Sequence, residues 1–250
     1  ITSLSKKEKY YFDDDSADRA VAFIETHIRH CKGDLAGKLF ILEEWQKEDL
    51  IRPIFGWKHN GTGLRKYRTV YCEIGRKNGK SSLGAAIGLY LLFADSELGS
   101  EIFSCAGDRA QASIIFDLAK RMILQDPMLS SKAKLHTQKS RDLYDTMITG
   151  TGARTQPLLF TMTTAGSSKT DGNICWEVHD YAQKVKDGII NDDTFLPLIY
   201  SADEGDDIQD PETWKKANPN LGISISEEYL KNEAKRKKEK YNQKRMNFMT

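Results

Sequence analysis

Residues Val70 to Ser82, VYCEIGRKNGKSS, constrain this chain more than any other stretch. A β-branched and aromatic run passes through a glycine-containing loop into Gly79-Lys80-Ser81 and then into small and apolar residues of helical character. That order is the one phosphate binding needs. Loop amides and the first amides of a helix converge on an anion, and the helix dipole adds positive potential there. Gly79 lets the backbone approach phosphate oxygens without a Cβ in the way. Lys80 can reach β- and γ-phosphates, and the Ser81 hydroxyl can ligate Mg²⁺. The pattern GxxxxGK[ST] would place its first glycine at position 74, which is Ile74; the glycine falls one place later, at Gly75. The expected cradle is Gly75, Arg76, Lys77, Asn78, Gly79, Lys80, Ser81 and Ser82, with Arg76 and Lys80 as the catalytic cations. For Arg76 three roles stay open: stabilising charge on a transferred phosphoryl group in cis, clamping a ground-state phosphate, or standing as a surface cation.

The surrounding pattern agrees with an α/β fold. Residues 16–31 carry helical apolar spacing behind the acidic run Asp13–Asp15. Strands are expected at 69–74, 101–105, 157–163 and 195–200, with helices at 80–94 and about 109–124. Strands interleaved with helices predict a mostly parallel sheet covered on both faces.

Charge and cysteine usage remove other classes. Lys and Arg number 37 against 36 Asp and Glu, a formal charge of +1, so the chain is no uniformly basic nucleic-acid coat. Charge is nevertheless uneven: 203–212 is acidic, and the tail from Lys231 is basic. Cys31, Cys72, Cys105 and Cys175 form no CxxC, and no histidine motif suits zinc, so reduced and mostly buried thiols are expected. No run of 18 apolar residues and no signal peptide is present, so no membrane partner is expected.

IGRKNGKSS, with arginine ahead of a shortened loop, resembles the variant Walker A motif of the large terminase subunits of tailed bacteriophages, the ATPase motors that pump DNA into proheads. LEEWQKEDLIRPIFGW (42–57) looks like that family's adenine-recognition segment, which puts Gln46 on the adenine edge. PLLFTMTTAG (157–166) resembles its coupling motif, making Thr163 and Thr164 sensors of the γ-phosphate. DPETWKKANPNLG (210–222) is similar to a stretch following the ATPase core. The likeness runs from about residue 39 to 240. Glutamine can donate and accept at once, which matches adenine N6 and N7, and a strand end beside Gly166 is where open α/β sheets meet ligands.

The resemblance implies a P-loop ATPase of the additional-strand type: a mostly parallel sheet flanked by helices over residues 1–200, then an acidic loop and helical lid over 201–250. It implies ATP and Mg²⁺ as cofactors, with Ser81 as the metal's hydroxyl ligand. Double-stranded DNA, a portal protein, a small terminase subunit and further copies in a ring would be the partners, in the host cell cytoplasm. A nuclease domain would lie outside this chain. Rival readings are another P-loop DNA motor, such as a helicase or recombination ATPase, and a nucleotide-binding scaffold that does not hydrolyse.

One departure is pronounced. The family carries an apolar strand ending in Asp-Glu before the coupling strand, and no such run occurs here; QDPMLSSKAK (125–134) leads straight into LHTQKSRDLYD (135–145). A segment of a few tens of residues bearing the acidic pair is therefore expected to be missing between Lys134 and Leu135. A true deletion that leaves hydrolysis dead is the competing reading. Asp142 and Asp145 are poor substitutes, because a helical KSRDLYDTM does not set them at a strand end.

Overall fold

The computed structural model describes residues 9–95, 97, 100–104, 106, 109–133, 155–164, 174–203 and 205–246. Its centre is a three-stranded parallel sheet of β3 (Thr69–Glu73), β4 (Leu159–Thr163) and β5 (Phe195–Ile199), in the order β4-β3-β5. The register is level across all three: Thr69 faces Leu159 and Phe195, and Glu73 faces Thr163 and Ile199. Pro197 interrupts β5 opposite Tyr71. A residue with no N–H suits a strand paired on one side only, and among the described residues β5 pairs with β3 alone.

Alternation along β3 sorts the two faces. Val70, Cys72 and Ile74 enter the main core with Leu83, Ala86 and Ile87 of α3 (Lys80–Phe93) and with Leu118 and Met122 of α4 (Arg109–Gln125). Tyr71 points the other way, into a smaller cluster with Ala182 of α6 (Ile174–Lys186), Phe195 and Ile199. Parallel strands buried on both faces need such double cover. Burial also pushes the Cys72 thiol up to about 12, so it packs as a small apolar group.

The N-terminal part buttresses this sheet. β1 (Tyr10–Phe12) pairs antiparallel with β2 (Trp57–His59), and α1 (Asp14–His27) packs on α2 (Arg52–Gly56) and α3. Asp13 caps α1 by accepting from Ser16 N at 3.1 Å. The helix stops at His27, earlier than the expected residue 31, because Ile28 turns extended and Arg29 bridges to Leu39. Asp126 caps the short α5 (Pro127–Lys132) through Leu129 N at 2.9 Å and meets His27 Nδ1 at 3.1 Å.

Two expectations fail. Residues 101–104 form no strand; Ile102 and Phe103 are more than two-fifths exposed and lack the burial on both faces that a strand in this sheet would have. The thiols are less uniformly buried than expected: Cys72 is buried, Cys31 half-buried and Cys175 exposed. The expected break at 134/135, the acids Asp142 and Asp145, and Cys105 lie outside the described residues.

Candidate nucleotide site

The loop between β3 and α3 sits at the C-terminal rim of the sheet, the edge where open α/β folds take ligands. Its backbone turns twice through the left-handed region, at Lys77 (φ 67°) and Gly79 (φ 76°). Lys77 is the one non-glycine residue with positive φ among the described residues, so the loop holds strain that its surroundings must enforce. Gly79 also begins α3 without a side-chain cap. The first amide of α3 to find a backbone acceptor in that turn is Leu83 N, on Gly79 O at 3.0 Å. The amides of Lys80, Ser81 and Ser82 are therefore donors aimed out of the helix start, as an oxyanion requires.

Lys80 folds over this nest. Its Nζ donates to Ile74 O at 3.0 Å and Gly75 O at 2.8 Å. Burial, together with the nearby charge of Arg76, holds its pKa below that of an ordinary lysine. Arg76 itself is exposed. Ser81 is exposed at the helix start and free to turn its hydroxyl toward a metal.

Two cradle residues do something the sequence did not suggest. Asn78 is fully buried and faces the segment after α7 (Pro211–Ala217). Its Nδ2 donates to Gly75 O (3.1 Å), Arg76 O (3.3 Å) and Asn218 Oδ1 (3.0 Å). Its Oδ1 accepts from Asn220 N at 3.1 Å, and Asn220 Nδ2 donates to Asn78 O at 3.3 Å. Lys77 places its ammonium 3.7 Å from the ring centre of Tyr229 on α8 (Glu227–Met246), and Ser224 Oγ donates to Lys77 O at 2.7 Å. The Ala217–Asn220 segment thus grips the loop from outside.

Gly75 belongs to the same grip. A Cβ there would lie 2.3 Å from Asn218 Oδ1 and 3.1 Å from Ala217 O. The displaced glycine of the loop pattern is thereby explained: position 75 needs to be small for the lid, and its backbone does not require the left-handed region.

Gln46 opens a π-helix (Gln46–Ile51) and is 3% exposed, with Oε1 accepting from Glu43 N at 2.9 Å. Its neighbour Trp45 donates through Nε1 to Asn220 Oδ1 at 2.5 Å and meets the Tyr200 ring edge-on. Trp45, Asn220 and Asn78 therefore form one chain from the Gln46 segment to the loop. Thr163 ends β4 and its carbonyl accepts from Ile74 N at 3.1 Å, while Thr163 Oγ1 donates to Thr164 O. The end of β4 is thereby joined to the first residue of the loop.

A further cluster escaped the sequence reading. Glu73, 3% exposed, accepts from Tyr71 Oη at 2.7 Å and pairs with His179 Nδ1 at 2.8 Å beneath the stacked Trp176 ring. The signal was present as a lone acid inside the apolar run VYCEI. The acidic stretch is structural: Asp210 caps α7, and Lys216 pairs with Asp203 and Asp206.

A family profile described as "Terminase large subunit, ATPase domain" matches residues 44–134, which take in Gln46, the loop and α3 to α5. The chain is 28% identical to the "Terminase, large subunit" of Enterobacteria phage HK97, over 88% of this chain and 49% of that protein. Over residues 44–134 the chain is thus similar to the ATPase domain of large terminase subunits. The crystal structure of the HK97 large terminase shares the P-loop fold, with a TM-score of 0.69 at 24% identity over 89% of this chain and 52% of that one. "Protein YmfN" of Escherichia coli K12 is 40% identical over 103 residues, 41% of this chain and 22% of that protein. The chain therefore spans about half the length of the HK97 subunit and less than a quarter of YmfN. No helix among its described residues is long and apolar enough to cross a membrane.

The site fits a nucleotide unevenly. Its phosphate half is assembled: outward amides, Lys80 and a strained loop. Its metal half offers the Ser81 hydroxyl, and among the described residues no group of three or more His, Cys, Asp or Glu could hold a cation. Glu73 is already engaged by two donors.

Proposed function

We propose that this chain is the ATP-hydrolysing part of a terminase motor that drives double-stranded DNA into a prohead. The observation that carries the reading is the strained loop at the end of β3, with its helix-start amides uncapped and Lys80 folded over them. In this reading the amides of Lys80, Ser81 and Ser82 hold phosphate oxygens, and Lys80 leaves its two carbonyls to neutralise phosphate charge. The Ser81 hydroxyl would hold Mg²⁺, which would supply neutralisation of phosphate charge. Arg76, exposed beside the loop, supports the transferring group. Gln46 and the Trp45 neighbourhood form the adenine side. Thr163 passes the phosphate state from Ile74 to β4, and Thr164 carries it onward. Portal, small subunit and a ring of copies are the partners this motor would need, in the cytoplasm of the infected host.

Hydrolysis also needs an acid to activate water, and we place it in a segment missing between Lys134 and Leu135. Support comes from the HK97 alignment: it runs over 261 positions but takes in about 220 residues of this chain, so about 40 positions have no counterpart here.

Equilibrium binding of an ATP analogue to wild type and Lys80→Ala tests the reading. We expect the variant to lose at least about tenfold in affinity, the scale of a charge-assisted bond. Equal affinity would leave a scaffold. With the acidic segment restored, Arg76→Ala should keep affinity within several-fold yet lose turnover by about 10³. Stimulation by single-stranded DNA alone would instead mark a helicase.

A further inference from the structure

We propose that this chain has a second anion site, for a tetrahedral phosphate-type oxyanion, in a cavity at the foot of α3. The cavity measures about 130 Å³, room for roughly four waters at about 30 Å³ each and hence for an ion of four oxygens. It lies between α1, α2, β2 and the C-terminal end of α3. The 14 residues of α3 separate it from the phosphate loop by about 20 Å. It goes beyond the nucleotide reading and does not depend on it.

Three cations line it: Arg19, Lys58 and Arg65. Arg65 carries the argument. Its side chain is 3% exposed. Nη2 is used, donating to Asp95 Oδ2 at 3.1 Å and Gln156 O at 3.0 Å. Nε and Nη1 are buried without any hydrogen-bond partner, and they are the only such side-chain atoms among the described residues. A guanidinium buried at this depth with two donors unmet is costly unless an acceptor reaches them. Nε and Nη1 lie on different edges of the planar fork, and each leaves an N–H for a further charge-assisted bond to an oxyanion. The Phe55 ring packs 5.5 Å from the guanidinium carbon and fixes its plane.

Charge in the cavity favours an anion over water alone. Asp95 is its one lining carboxylate, and it is committed to Arg65. Lys58 pairs with Asp13 at 3.1 Å and donates to Ser16 Oγ at 2.7 Å. Arg19 has no ion pair among the described residues and supplies the uncompensated charge. The Tyr90 hydroxyl, pushed up to about 12 chiefly by burial, stays protonated and is a further donor. Gly63 keeps one side open, since nothing stands within 4 Å of where its Cβ would be.

Free phosphate and a phosphate of the DNA backbone share this chemistry, and calorimetry with each separates them. Inorganic phosphate is titrated into the Lys80→Ala chain, where the nucleotide loop is disabled, and into the same chain carrying Arg19→Glu or Arg65→Lys. We expect binding in Lys80→Ala and a loss of at least about 10-fold with either added change. If Arg65→Lys does not fold, the exposed Arg19→Glu decides. No phosphate binding in Lys80→Ala, or affinity unmoved by Arg19→Glu, overturns the site. A duplex oligonucleotide identifies the source. If Arg19→Glu also weakens duplex binding and lowers its salt slope by about one, the phosphate belongs to DNA; unchanged duplex binding means the free ion.

Discussion

Gly75→Ala tests the grip of the Ala217–Asn220 segment on the loop between β3 and α3. The added Cβ would sit 2.3 Å from Asn218 Oδ1, about 1 Å inside ordinary contact, and 3.1 Å from Ala217 O. Gly75 does not occupy the left-handed region, so alanine strains no dihedral and should gain about 0.4–1 kcal/mol through the unfolded chain. Overpacking should cost about 1–3 kcal/mol, leaving a net loss of about 1–2 kcal/mol. Asn218→Ala alone gives up the bonds from Asn78 Nδ2 and to Trp214 O, each 3.0 Å, for about 1–2 kcal/mol. It also removes the obstructing oxygen. The double variant should therefore be about as stable as Asn218→Ala, not the sum of both losses. Urea denaturation at constant m gives the four stabilities. Additivity within about 0.5 kcal/mol would refute the argument, because the two side chains would then not meet.

Other outcomes follow from the same geometry. Asp126→Ala should lose about 1–3 kcal/mol at neutral pH, for the α5 cap and the His27 contact. Burial alone would raise the Asp126 carboxyl, but the Leu129 amide and His27 hold it below its ordinary value. Its contribution is thus complete above the unfolded pKa of about 3.9 and disappears as pH falls through the lower folded value. Thermal melts of the two proteins should converge in acid; a constant difference would count against the pair. Nucleotide-analogue affinity should begin to fall below pH 10.5, since burial depresses the Lys80 pKa and the bound phosphate needs the cation. A fall only above that pH would show that Lys80 is not desolvated. Glu73→Gln should cost about 1–3 kcal/mol in chemical denaturation, because a neutral carbonyl oxygen replaces the charged Oε2 that meets both Tyr71 and His179; a neutral result would mean the charge is dispensable.

What could be read from the sequence was what local chemistry writes. Strands at 69–73, 159–163 and 195–199 follow from apolar, β-branched and aromatic composition, and the loop's role from Gly79-Lys80-Ser81 opening a helix. Arg76 and Ser81 stand exposed at the loop. The misses are long-range. Asn78 reads as one more loop polar residue until Asn218 and Asn220 arrive from 140 and 142 positions away. The 101–104 segment has strand-like composition but no partner among the described residues, and composition cannot supply one.

The separation between Asn78 and its partners has a consequence for biogenesis. During synthesis β3, α3 and β4 can emerge long before residues 217–220 leave the ribosome. Until then the turn at Lys77 lacks the neighbours that enforce its left-handed backbone. Phosphate-binding competence should therefore be acquired late, as a step of maturation separate from formation of the sheet, and a nascent chain halted before Ala217 should possess the strands yet ignore nucleotide.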